Sequence, residues 1–238
     1  MKTRILLIIP AYNEANSIEH TMHDILNTSY DYIIINDGST DATAKILADK
    51  HYNHINLLSN LGIGGAVQTG YKYARDNNYD IAIQFDADGQ HNLASIPVLI
   101  DPLVQNKADF VIGSRFIKKN NDNFKSSFMR RVGIRLISNF IFLFSKKRIY
   151  DTTSGFRAAN RQVIEFFATE YPKEYPEPIS EYELIRNNYR ISEVSTKMHQ
   201  RTAGKSSIHS WKSAYYIVNV ILSIIIITIR EKHGRSTN

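Results

Sequence analysis

The first half of the chain repeats one unit: a short run rich in Ile, Leu and Val, a polar turn, then apolar positions at helical spacing. The runs Ile5–Ile9, Tyr32–Ile35, Ile55–Leu58, Ile81–Phe85 and Phe110–Ile112 predict strands, and their near-continuous apolarity predicts burial on both faces. Between them, Ser17–Leu26, Ala42–Asp49, Ala66–Asn77 and Ser95–Val104 carry the helical period. Strands alternating with helices imply an α/β fold with a mainly parallel sheet covered by helices. Ligands of such sheets gather at the carboxyl ends of the strands, so the turns there are where chemistry belongs.

Beyond Arg115 the pattern changes. Lys118-Lys-Asn-Asn-Asp-Asn123 is polar and loop-like, and Met129–Phe144 then combines arginines with a bulky apolar face, as an interfacial helix within 129–148 would. An ordinary core helix with a charged edge gives the same pattern. The last apolar stretch, Ala214 to Ile229, has sixteen residues between Lys212 and Arg230. A full membrane span needs about 20 residues and at least about 17, so this one is borderline, although Lys212, Arg230, Lys232 and Arg235 could snorkel to extend it. With Trp211, Tyr215 and Tyr216 as interface residues, the segment could span obliquely, lie flat or dock on a small membrane partner. It could equally serve as a dimer or core helix.

A length of 238 residues fits one large domain, 1–210, with an appendage at 211–238. The absence of cysteine removes disulfides, thiolate catalysis and zinc-thiolate sites, so any metal must sit on oxygen or imidazole. Five apolar residues before Pro10 fall short of the roughly 7–15 of a signal-peptide core, and no export signal is read. Charge changes the picture further. Within a net +6, the stretch from Arg115 to Arg161 holds twelve Lys/Arg against only Asp122 and Asp151. Such a block attracts phosphate, on a lipid headgroup, a substrate or a nucleic acid. Nucleic acid is disfavoured, since the block carries no recognisable binding motif and is interrupted by the apolar helix.

The turns after the strands read Pro10-Ala-Tyr-Asn-Glu14, Asn36-Asp-Gly-Ser-Thr-Asp41, Asn60-Leu-Gly-Ile-Gly-Gly-Ala66, Asp86-Ala-Asp-Gly-Gln-His91 and Gly113-Ser-Arg115. Asp86 and Asp88 at a sheet edge could share a hard divalent cation with a diphosphate, and Mg²⁺ or Mn²⁺ suits such oxygen ligation. Gln90 could add an amide oxygen, whereas His91 reads as a hydrogen-bonded loop histidine. Asp37 could accept from a nucleobase or ribose, and Asp41 reads as a helix cap. The glycine-rich Asn60–Gly70 segment lacks G-x-G-x-x-G spacing, but its backbone could approach a phosphate or base. Neither a P-loop nor a G-x-S-x-G nucleophile elbow occurs.

Taken in order, these segments, with Ser154-Gly-Phe-Arg157 and Arg201-x-x-Gly-Lys-Ser206, resemble family 2 glycosyltransferases of the GT-A fold. Within that family the resemblance is to the dolichol- and polyprenyl-phosphate sugar synthases, and it covers about nine-tenths of the chain. It implies that Pro10, Tyr12, Glu14 and Asp37 hold the nucleoside, with Gly64 beside the base. It further implies that Asp86, Asp88 and Gln90 surround the metal, that Arg115 is an active-site cation, and that Arg130 or Arg131 meets the acceptor phosphate. Arg201 and Ser206 match a late segment that closes over the diphosphate. Asn36 departs from the Asp of many relatives and keeps hydrogen bonding while losing a charge.

The expected reaction is inverting sugar transfer from a UDP or GDP donor to a polyprenyl-phosphate lipid at the cytoplasmic membrane face, for cell-surface glycan synthesis. Asp88, Arg115 and Arg201 are its expected catalytic residues. A lipid phosphate arrives ionised and needs no general base, whereas a glycan hydroxyl does. For that alternative acceptor, Glu177, Glu181 or Glu183 could serve, though such acids usually belong to a solvated surface. A nucleotide-sugar-binding subunit without turnover is a further alternative, and a homo-oligomer is compatible with all of these readings.

Overall fold

The computed structural model describes residues 3–87, 91–117, 128–196 and 210–235. Its strands are β1 (Ile5–Ala11), β2 (Asp31–Asn36), β3 (His54–Asn56), β4 (Ile81–Gln84), β5 (Phe110–Ser114), β6 (Arg157–Asn160) and β7 (Ile191–Ser195). Its α-helices are α1 (Ile18–Leu26), α2 (Thr43–Asp49), α3 (Gly62–Asp76), α4 (Ile96–Val104), α5 (Phe128–Ser145), α6 (Arg161–Thr169), α7 (Pro176–Arg186) and α8 (Ser210–Arg235).

The seven strands form one sheet in the order β3-β2-β1-β4-β6-β5-β7, and every neighbouring pair is parallel except the two that β6 makes. The continuous apolar runs fit this setting, because β1, β2 and β4 are covered on both faces. One core holds Leu6, Ile8, Ile33 and Ile35 against α3, α6 and α7, and the other holds Leu7, Ile9 and Ile34 against α1 and α4. Pro10 is tolerated in central β1 because register with β4 ends at Ile8, so its missing N–H interrupts no ladder there.

The antiparallel β6 wedges between β4 and β5 and places Gln84 opposite Arg157 and Arg157 opposite Ile112, which pairs in turn with Glu193 of β7. Directly opposed residues share a face of the sheet, so Gln84, Arg157 and Glu193 form a polar row at its carboxyl edge.

Helices α5 and α8 pack on each other and on α7. Val220 and Ile224 of α8 join the same buried cluster as Ile137 and Ile141 of α5, and Tyr182 Oη lies 2.5 Å from Thr228 Oγ1. The opposite side of α8 exposes Tyr215, Val218, Leu222, Ile226 and Ile229, and α5 exposes Leu136, Phe142 and Leu143 beside Arg131 and Arg135. Among the described residues no helix is long and apolar enough to cross a membrane.

Candidate active site

The carboxyl edge of the sheet is assembled from turns that bond to one another. Asn13, in a left-handed conformation (φ 56°), accepts the Thr40 N–H at 2.8 Å and ties the β1 turn to the β2 turn. The Glu14 N–H donates to Thr43 Oγ1 at 2.9 Å, and its carboxylate accepts from Ser17 Oγ. Asp41 accepts from the Thr43 N–H at 2.9 Å and the Ala15 N–H at 3.2 Å. Burial raises the Asp41 carboxyl, but these hydrogen bonds outweigh it and leave the group below the usual carboxylate range.

Asp37 is buried and accepts the Leu61 N–H at 2.7 Å, which holds the glycine-rich turn against β2. Pro10 is buried beside it in β1, while Tyr12 stands exposed at the rim. Gly64 lies in the first turn of α3, where a Cβ would stand 2.4 Å from the Pro172 carbonyl oxygen; only glycine permits that approach. Asn36 is an internal strut: its amide donates to Asn56 Oδ1 at 2.7 Å and its Oδ1 accepts the Ser39 N–H at 3.3 Å.

Asp86 follows β4 on the same edge, with its side chain partly open to solvent. Its N–H donates to His91 Nδ1 at 2.9 Å. Gly155 presses against it, and a Cβ there would come within 2.7 Å of Asp86 Oδ2. Asp88, Gln90, Arg201 and Ser206 lie outside the described residues, as does the side chain of Arg130. Arg131 is exposed on α5. Among the described residues no three His, Cys, Asp or Glu side chains converge on one point, so a cation here would draw on Asp86 together with groups beyond them. The donor chemistry fits a hard ion: a partly open carboxylate, a glycine leaving it room, and the buried Oε1 of Gln84, without a hydrogen-bond partner among the described residues.

The structure turns Arg115 inward. Its Nε and Nη2 meet the fully buried Asp151 at 2.8 and 2.7 Å, and Nη2 also donates to Thr153 Oγ1 at 2.9 Å. In this geometry the guanidinium secures the 151–153 turn from beneath. The expectation that Glu177 and Glu181 are solvated acids is corrected. Both sit on the side of α7 that covers Arg157; Glu181 is fully buried and Glu177 approaches Arg157 Nη2 at 3.6 Å. Burial raises both carboxyls above the usual range, with Arg157 opposing the shift. Glu183 is also pushed up, to about 7, by burial and then by Glu170.

The family profile described as Glycosyl transferase family 2 matches residues 6–167. The chain belongs to this family. Among relatives of this family 2 member, the UDP-N-acetylglucosamine–dolichyl-phosphate N-acetylglucosaminyltransferase of Methanococcus voltae is 35% identical over 214 residues, covering 81% of this chain and 84% of that one. The undecaprenyl-phosphate mannosyltransferase of Micrococcus luteus is 27% identical over 229 residues, covering 91% and 92%. Glucosyl-3-phosphoglycerate synthase from Mycobacterium tuberculosis, solved with Mn²⁺, UDP-glucose and phosphoglyceric acid, superposes with a TM-score of 0.66 at 16% identity, over 93% of this chain and 80% of that one. At that identity it shows the GT-A fold alone. The chain is therefore a family 2 glycosyltransferase whose homologues are named as transferases acting on dolichyl and polyprenyl phosphates.

Proposed function

We propose that the protein transfers a sugar, with inversion, from a nucleotide donor to a polyprenyl phosphate at the cytoplasmic face of a membrane, in cell-surface glycan synthesis. A uridine diphosphate donor carrying N-acetylglucosamine is preferred over a guanosine one, on the strength of the Methanococcus relative. The observation that carries the reading is the two-helix surface of α5 and α8. Exposed Leu136, Leu143, Leu222 and Ile226, edged by Arg131, Arg135 and Arg148, suit an anionic lipid interface on a glycosyltransferase body. The seat we propose is peripheral and in the plane of the interface, and among the described residues no helix is long and apolar enough to cross a membrane.

In this mechanism the Asp37–Leu61 bond shapes the nucleoside slot, and Pro10, Tyr12, Glu14 and Gly64 line it. Asp86, Asp88 and Gln90 would hold Mg²⁺ or Mn²⁺, which supplies neutralisation of charge on the departing nucleoside diphosphate. Arg201 and Ser206 close over that diphosphate, and Arg130 and Arg131 bind the acceptor phosphate, a pairing suited to guanidinium. The ionised phosphate oxygen attacks without a base. Arg115 acts through Asp151, fixing the turn that leads into Gly155 and so the space beside Asp86.

The test is to incubate membranes, with and without the protein, with labelled UDP-N-acetylglucosamine, UDP-glucose and GDP-mannose. Label should enter a solvent-extractable lipid and be released by mild acid. Label that appears only in water-soluble or polymeric glycan would overturn the lipid-phosphate acceptor.

A further inference from the structure

We infer that Gln84 and His91 are positioning residues that grip Asp86 from both sides and set its carboxylate for the divalent cation. The inference rests on the metal-dependent reading above and deepens it.

Both side chains are almost wholly buried, so their polar atoms must find partners in the protein or its ligands. The stacked ring of Phe156, 4.8 Å from that of His91, fixes the imidazole plane. Because the Asp86 N–H donates to His91 Nδ1, a neutral imidazole carries its proton on Nε2. That Nε2 stands 3.5 Å from Asp86 Oδ2. From the other side the amide of Gln84, two residues earlier on β4, donates to Asp86 Oδ1 at 3.4 Å. Gly155 is pressed against Asp86 and Gln84, and a Cβ there would meet Asp86 Oδ2 at 2.7 Å and Gln84 Nε2 at 3.2 Å. The carboxylate is therefore constrained at each oxygen and above.

The remaining amide oxygen, Gln84 Oε1, is buried without a hydrogen-bond partner among the described residues. A buried acceptor on a side chain already orienting a metal-binding carboxylate is suited to a water of the cation's hydration shell, since Mg²⁺ and Mn²⁺ retain waters that only donate. Gln84 thus works at both ends: its amide nitrogen orients Asp86 and its oxygen takes the water.

Mn²⁺ binding to the full-length protein, followed by the loss of the free-ion electron paramagnetic resonance signal, tests this directly. Gln84→Met keeps the volume and removes both polar ends, while His91→Asn keeps an acceptor for the Asp86 N–H and removes the Nε2 donor. Each should weaken Mn²⁺ binding about 10- to 100-fold, the usual range for groups that orient a metal ligand. The metal-free melting temperature of His91→Asn should stay close to that of the unmodified protein. Unchanged Mn²⁺ affinity in His91→Asn, or in Gln84→Met even with lowered melting, would overturn the inference and leave the metal reading intact. Failure of the unmodified protein to take up Mn²⁺ with or without UDP would overturn both.

Discussion

Two buried arginines near the same sheet edge are treated in opposite ways. Arg115 meets Asp151 with two parallel bonds, and the same carboxylate accepts the Arg115 backbone N–H at 2.9 Å. Among the described residues Arg157 has no such partner. Its Nε donates to the Ser154 carbonyl at 2.7 Å and its Nη1 to Ser180 Oγ at 2.9 Å, while Nη2 and both oxygens of nearby Glu181 find no hydrogen bond among the described residues. A bidentate pair in low dielectric is strong once formed and costly to halve. A loose cluster is held by general attraction, with burial raising the carboxyl of its surplus acid, so it tolerates change better. The difference teaches that burial of a charge does not by itself mark a rigid strut; the count of completed hydrogen bonds does.

The largest effect that would sharpen this contrast is Asp151→Ala, which removes the carboxylate that Arg115 meets bidentately and should cost about 3–5 kcal/mol in urea unfolding. A loss no greater than that of Arg157→Met would break the comparison. Arg157→Met comes next, at about 1–3 kcal/mol, because it leaves the Ser154 carbonyl and Ser180 hydroxyl wanting donors. Glu181→Gln should cost less than about 1 kcal/mol in acid, since burial raises the folded carboxyl and the native group is already neutral there.

The pH dependence has a definite sign. A carboxyl raised on folding contributes stability that is fully present below its unfolded value and is lost as pH rises through its folded value. Glu181→Gln should therefore gain on the parent protein as pH climbs above about 4.5. Glu183→Gln, on the same helix but outside the arginine cluster, should show the smallest change, with its gain confined to the window from 4.5 to about 7. Unfolding midpoints at several pH values measure both, and a gain appearing on acidification instead would refute the assignment.

Much of the first half was legible because strands buried on both faces write themselves as unbroken apolar runs, and β1, β2, β4 and β5 lie within a few residues of expectation. β6 was not legible: Arg-Ala-Ala-Asn is too short and too small to carry a period, and its antiparallel placement depends on distant partners. β7 and α6 also went unread. In α7 the acids mislead, because Glu181 looks solvated until Arg157 is known to lie beneath it. At the site, Asp37 and Asp86 stood out by following apolar strands. Gln84 did not, since inside the run Ile81–Phe85 it reads as one polar interruption, and its meaning comes from Gly155, far along the chain. The last helix was ambiguous for a physical reason: an apolar surface on both sides looks the same whether lipid or protein covers each side.

That ambiguity carries a practical corollary. Because Val220 and Ile224 plug the body from which Leu222 and Ile226 project, a shortened chain ending before Ser210 would not release a water-soluble catalytic fragment. It would uncork the interior instead, and preparations suited to solution work should recolour the outward side chains with charge and keep the helix whole.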